Sequence, residues 1–259
     1  MAILFFDTET TGKPVNYNGA MADLDNWPRV IQLAWIVADS YGVELCRHSY
    51  LIKPDGWVIP QEKFWIDNGF STETNTEKGI PMESAVEIFL QTISDHRVDT
   101  LVAHNIKFDY NVFGAELLRL NTGSEFMTLQ QCCTMDASTN FCQIPGRYGF
   151  KWPTLTELHN KLFGCGFDGA HDALADVAAC MRCYFSLGFR NIIAIPAPNP
   201  TTEEIADWRN KAAKWEALDK RISKCYLNKE GEYDEDNPEI EDADLCTIGE
   251  MAATAFGYL

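Results

Sequence analysis

The sequence contains no long apolar run. Its N-terminal stretch Ile3-Leu4-Phe5-Phe6 meets Asp7 after four residues, too short for the apolar core of a secretory leader. No window approaches the roughly 20 apolar residues of a membrane span, so no membrane association is expected. A cysteine framework is also lacking: the nine cysteines follow no regular spacing, which disfavours a disulfide-stapled secreted domain and leads us to expect mostly free thiols in a reducing cytoplasm. Cys180-Met181-Arg182-Cys183 has CxxC spacing but lies inside a helical pattern, which argues against a redox or zinc role. Basic charge is scarce, with 21 Lys and Arg against 38 Asp and Glu and a formal net charge of −17. The segment from Glu230 onward holds ten acidic residues and no basic one, so the remainder of the chain is only mildly acidic. No global positive field draws in nucleic acid, which disfavours tight non-specific duplex binding but leaves room for an enzyme that grips a strand end through metal ions.

What is present is enough for one substantial core: 259 residues, 46% of them hydrophobic. The chain opens with three strand patterns, Ile3–Phe6 running into Asp7, Val30–Val37, and Glu44–Ile52, the last two joined by the short turn Asp39-Ser40-Tyr41-Gly42. Strands joined so briefly are antiparallel neighbours. Between the first two, Gly12 to Arg29 reads as a long loop. A short helix or turn comes next, from Pro60 to Phe70, and Ala85, Ile88, Phe89 and Ile93 recur at helical spacing. Thr100–Ala103 is a short buried strand, Phe108–Leu120 a helix, Met127–Thr134 another strand, and the stretch with Pro145, Gly146 and Gly149 a loop. Leu155–Phe163 and Ala173–Leu187 are the last helices of a body assigned to residues 1–194. This order predicts an α/β fold with a mixed sheet flanked by helices. Residues 195–200 form a proline-rich joint. Residues 201–259 form an extension with an amphipathic helix, carrying Trp208 and Trp215 on its apolar stripe, followed by an acidic segment.

Three stretches carry chemistry. In Asp7-Thr8-Glu9-Thr10-Thr11-Gly12, two carboxylates one residue apart at a strand end point the same way, because side-chain direction repeats every two residues. Like charges so placed repel unless a cation lies between them. By itself the pair is also what a strand spilling into a polar turn looks like. In Leu101–Asp109, a buried strand ends in His104 and Asn105, and Phe108-Asp109 comes near a helix start; Asp109 is either a helix cap or a third carboxylate brought to the first pair. In His171-Asp172-Ala173-Leu174-Ala175-Asp176, Asp172 is placed to cap a helix, and Asp176 sits on its first turn, where burial is costly unless it is paired or binds a cation. His171, on the preceding glycine-rich loop, is either a surface histidine or a group able to reach a water near the acids.

Together, Asp-x-Glu, Asn-x-x-Phe-Asp and His-x4-Asp occur in the order and spacing of the DEDD superfamily of 3′-to-5′ exonucleases, and the chain resembles its histidine branch, the DnaQ-like proofreading exonucleases. The resemblance covers about residues 2 to 187, and Lys151-Trp152-Pro153-Thr154-Leu155 and Leu162-Phe163-Gly164 also look like the family's segment before its last helix. It implies a ribonuclease-H-like fold with a five-stranded mixed sheet whose first three strands are antiparallel. It also implies that Asp7, Glu9, Asp109 and Asp176 hold two Mg2+ or Mn2+ ions and that His171 is the general base, the product being a nucleoside 5′-monophosphate. Thr10, Thr11 and Gly12 would line the pocket of the terminal nucleotide, with Asn105 close to the strand path. The family's His-Gly-Ile-Thr-like segment is replaced here by Asn68-Gly69-Phe70-Ser71; Phe70 or Trp65 is then either a stacking surface or a core residue.

The function so implied is hydrolysis of single-stranded 3′ ends, DNA favoured, in proofreading or repair. With no polymerase domain in the sequence, proofreading is expected in trans, and the C-terminal helix is a candidate contact for a polymerase, another protein or a second copy, unless it packs back on the body. The alternatives are an RNA 3′-end trimming enzyme, since no motif reveals a contact to the 2′-OH, and a non-catalytic binding module on the same fold.

Overall fold

The computed structural model describes residues 2–169 and 172–195. The chain divides into two units, Met1–Ala197 and Pro198–Leu259. His171, the proline-rich joint beyond Ile195 and the whole extension at 201–259, with its expected amphipathic helix, lie outside the described residues.

The first unit begins with β1 (Ala2–Thr10), β2 (Val30–Asp39) and β3 (Glu44–Leu51). Three helices come next, α1 (Lys63–Asp67), α2 (Thr72–Lys78) and α3 (Met82–His96), and then β4 (Val98–Ala103), α4 (Ile106–Arg119), β5 (Gln130–Cys133) and α5 (Thr134–Cys142). A small hairpin of β6 (Pro145–Gly146) and β7 (Gly149–Phe150) leads to α6 (Leu155–Phe163) and α7 (Ala173–Phe189). The main sheet has the order β3-β2-β1-β4-β5. β2 pairs antiparallel with β1 and β3, whereas β4 pairs parallel with β1 and β5. This is the ribonuclease-H-like mixed sheet.

β1 is the central strand, and its uninterrupted apolar run reflects burial on both faces. Ile3 and Phe5 pack with Ala34, Ile36 and the α7 residues Val177, Cys180 and Tyr184. Leu4 and Phe6 point the other way, into a core with Phe89 of α3 and Phe113 of α4. Each buried phenylalanine contributes about 1.5–3 kcal/mol over its exposed state. The same alternation sorts the polar end of the strand: Asp7 and Glu9 continue the row that faces α7, while Thr8 continues the row that faces α4.

Helix ends are set by local chemistry. Asp172 caps α7 by accepting from the amides of Leu174 and Ala175, both at 3.1 Å. Thr154 and Glu157 form a capping box at the start of α6, and Gly164, in the left-handed region at φ 76°, ends it. Asn105 precedes α4 with φ 72°, a conformation that asparagine tolerates better than other residues with a side chain.

Two expectations need correction. The stretch after β5, read as loop, begins with α5, whose Thr and Ser content is poor for helix but whose hydroxyls bond its own backbone, Ser138 Oγ to Thr134 O at 2.6 Å and Thr139 Oγ1 to Met135 O at 2.9 Å. The strand expected over Met127–Thr134 is only Gln130–Cys133, because Phe126–Thr128 forms a 3-10 turn that buries Phe126. Among the described residues, no helix is long and apolar enough to cross a membrane.

Candidate active site

The C-terminal end of β1 gathers the acids. Asp7 and Glu9 from β1 and Asp176 from the first turn of α7 each bring a carboxylate oxygen to within 4.8 Å of the others. Asp109, on the first turn of α4, stands beside them and is buried at 3% exposure. It does not cap α4, since Asn105 holds that position. Its Oδ1 instead accepts from Thr8 twice, from the amide at 3.0 Å and from the hydroxyl at 2.7 Å.

Burial and mutual repulsion dominate the electrostatics of Asp7, Glu9 and Asp109. Burial, followed by the charges of Asp109, Asp176 and Glu9, holds Asp7 well above the usual carboxylate range. Burial and then Asp176 and Asp109 push Glu9 up to about 8. Burial raises Asp109 to about 7, against the downward pull of the two bonds from Thr8. Among the described residues, no Lys or Arg forms an ion pair with Asp7, Glu9 or Asp109. Carboxylates crowded in this way ionise together only if a cation joins them. The donor set of Asp7, Glu9 and Asp176 is all oxygen, which suits hard divalent ions such as Mg2+ or Mn2+. The residues present therefore fit a divalent cation.

Several side chains not expected from the sequence hold this arrangement. Thr8 locks Asp109 to the strand that carries Asp7 and Glu9. Gln32, opposite Glu9 on β2, bridges the sheet to the start of α7: its Nε2 donates to Asp172 Oδ2 at 3.1 Å and to Ser49 Oγ at 3.2 Å, and its Oε1 accepts from the Ala173 amide at 3.2 Å. The signal for Gln32 was in the sequence, a lone polar residue in the run Val-Ile-Gln-Leu-Ala-Trp, because a buried amide must find partners.

The expected substrate-contact residues are dispersed. Thr10 ends β1 and its hydroxyl bonds Gly12 O at 2.6 Å. Thr11 is fixed by reciprocal bonds with Arg29, 2.9 Å from its amide to Arg29 O and 3.0 Å from the Arg29 amide to its hydroxyl. Arg29 is tied in turn to buried Glu116 at 2.8 Å, so the long loop returns to a fixed point. Trp65 donates its indole N–H to Thr10 O at 2.9 Å and so sits at the edge of the site. Phe70 does not: it is 4% exposed, packed with Ile31 and Ile59, and offers no stacking surface. That corrects the expectation of a substrate contact at Phe70; an apolar residue after a turn reads the same whether it faces the core or a ligand. Asn105 stands between the end of β4 and α4. His104 before it is held at both ring nitrogens, by Thr134 Oγ1 at 3.0 Å and Pro153 O at 2.9 Å, and burial lowers its pKa. A cavity of about 300 Å3 lined by Arg29, Lys53, Asp55, Glu83, Glu116 and Arg119 lies apart from Asp7, Glu9, Asp109 and Asp176, none of which lines it.

A cluster of acids that fits a divalent cation, at the end of the central strand of a ribonuclease-H-like sheet, points to a class, the nucleases of this fold. Within it, the family model RNase T, described as exonuclease, matches residues 4–184. The chain belongs to this exonuclease family. Among solved structures, E. coli exonuclease I with a dA16 oligonucleotide is similar at 21% identity and TM-score 0.55, over 73% of this chain and 41% of that one. The same enzyme with a 5cy-dT13 oligonucleotide is similar at 18% identity and TM-score 0.58, over 84% and 45%. Its zinc-bound complex with single-stranded DNA is similar at 22% identity and TM-score 0.56, over 73% and 41%. The chain thus spans less than half the length of these structures, and at such identities the likeness is one of fold. Among curated proteins none matches the sequence.

Proposed function

We propose that the protein is a 3′-to-5′ exonuclease that removes nucleoside 5′-monophosphates from single-stranded 3′ ends, with DNA as its substrate. The observation that carries this reading is the convergence of Asp7, Glu9 and Asp176 within 4.8 Å, with Asp109 beside them, in a chain matched along residues 4–184 by an exonuclease family. The oligonucleotides in the similar E. coli structures are DNA, which favours DNA over RNA.

In this reading Asp7, Glu9, Asp109 and Asp176 hold two divalent cations, Mg2+ or Mn2+. Cations held there would supply counter-charge for the acids and Lewis acidity toward the phosphodiester and a water. Thr8 holds Asp109 in place, and Gln32 with Asp172 fixes the start of α7 and thereby the position of Asp176. His171, directly before Asp172, accepts the proton of the attacking water, which assigns the protein to the histidine branch. Thr10, Thr11 and Gly12, with Trp65 pinned to Thr10 O, bound the terminal nucleotide, and Asn105 lies on the strand path. Residues 1–194 act as the catalytic domain, and 201–259, past the joint at 195–200, serve as a contact for a polymerase, another protein or a second copy.

The test is digestion of end-labelled single-stranded DNA, duplex DNA and RNA with Mg2+, resolved by product length. Stepwise shortening of single-stranded DNA from its 3′ end, faster than of RNA, is expected. Faster loss of RNA would assign the protein to RNA 3′-end trimming, and internal cuts would overturn the exonuclease reading.

A further inference from the structure

The hairpin of β6 and β7 is the one element of the described body that turns large aromatic side chains outward in a group. Tyr148 is 88% exposed, Phe150 50% and Trp152 66%. Large aromatic side chains exposed within five consecutive residues mark a place where something docks. The charge around it selects the partner. In a chain of net charge −17, residues 137–156 contain two cations, Arg147 and Lys151, and no acid. Lys151 is engaged by Glu157 of α6 at 2.7 Å, leaving Arg147, stacked 5.1 Å over the Tyr148 ring, as the cation presented with the aromatics.

The hairpin is also anchored at the right edge of the molecule. The Lys151 amide donates to Ile144 O at 2.9 Å and closes its base. Pro153, next to Trp152, accepts from His104 Nε2 at 2.9 Å, and His104 is the residue before Asn105, on the connection that leads into Asp109. Aromatic faces interleaved with an arginine recognise unpaired bases and their backbone without regard to sequence, because every base has a π-face. Within residues 137–156 no acid opposes a phosphate backbone, which apolar surface for a protein partner would not require.

We propose that Tyr148, Phe150 and Trp152, with Arg147, form a stacking platform for the single strand upstream of the 3′ end, an inference that rests on the exonuclease reading above. The platform holds the bases next to the scissile nucleotide and contributes to affinity for long strands, not to the chemical step.

The test compares dT15 with the p-nitrophenyl ester of thymidine 5′-monophosphate, which has one base and no upstream strand, both with Mg2+. For the Tyr148→Ala/Trp152→Ala double variant, KM for dT15 should rise at least about fivefold, the lower bound for loss of one stacked base, while ester hydrolysis stays at the wild-type rate. Trp152→Phe should restore most of the affinity, and Arg147→Gln should lower the salt dependence of log KM by about 0.7. Tyr148→Ala is measured alone as well, since at 88% exposure its ring packs little beyond the contact with Arg147 and its loss should leave the fold intact. If KM for dT15 stays within twofold of wild type in the single and double variants, the platform is refuted while the exonuclease reading stands. A change in sedimentation with unchanged KM would refute it equally, making the hairpin a protein contact. If the wild type cleaves neither substrate, the reading beneath the proposal fails first and takes the platform with it.

Discussion

Glu9→Gln should make the metal-free protein more stable, and only at high pH. Burial and the neighbouring charges of Asp176 and Asp109 raise Glu9 from 4.5 to about 8. A carboxyl raised in this way binds more protons folded than unfolded across that interval, so its contribution is fully present below about pH 4.5 and is lost as pH climbs through about 8. At about 1.36 kcal/mol per pH unit, the interval corresponds to a loss on the order of 4–5 kcal/mol. Asp7 and Asp109 titrate in the same cluster, so the losses are shared and do not add. Glutamine fills the same space and carries no charge. For a body of this size about 1 kcal/mol moves Tm by about 2–4 °C, so at pH 8 the variant should melt on the order of 10 °C above the wild type, with the two nearly equal at pH 5. The assay is thermal melting followed by circular dichroism in EDTA from pH 5 to 9. Parallel pH dependence of wild type and variant would refute the picture of uncompensated acids at the end of β1.

Mg2+ should reverse that loss: at about 100 times its dissociation constant a single bound ion stabilises the folded state by about 2.7 kcal/mol, a rise in Tm of roughly 5–10 °C that calorimetry should find in the wild type and miss in Asp7→Asn. Thr8→Val removes the hydroxyl bond to Asp109 Oδ1 at equal volume and should destabilise by about 1–3 kcal/mol and weaken Mn2+ binding in a paramagnetic titration, with Thr8→Ser restoring both; unchanged binding in the valine variant would show that Asp109 needs no such hold. His171→Ala should lower kcat by about 10²–10⁴ while leaving the Mg2+-induced rise in Tm intact, and a full loss of that rise would move His171 from proton transfer to cation binding.

The parts of the fold legible in the sequence are those in which local and global demands agree. The apolar run of β1 and its acidic end, the meander to β3, and α6 between its capping box and Gly164 each carry their pattern within one short segment. The helix α5 was not legible because its Thr, Ser and Asn residues favour other local structures, and two-residue strands such as β6 and β7 leave no period to detect. The site divides along the same line. Asp7, Glu9, Asp109 and Asp176 announce themselves by residue type and spacing, but what holds them is made by contacts distant in sequence: Thr8 lies 101 residues from Asp109, and Gln32 lies 140 from Asp172. Phe70 was ambiguous because hydrophobicity does not distinguish a core wall from a stacking surface.

The central claim is that the four acids form one metal-dependent exonuclease centre. Its most direct measurement is the digestion of a 5′-labelled single-stranded DNA by wild type, Asp7→Asn, Glu9→Gln, Asp109→Asn and Asp176→Asn, each with Mg2+ and with EDTA. A descending ladder of products, one nucleotide per step, is predicted for the wild type with Mg2+ and for no other combination. Shortening by any of the four variants at the wild-type rate, or by the wild type in EDTA, would contradict it.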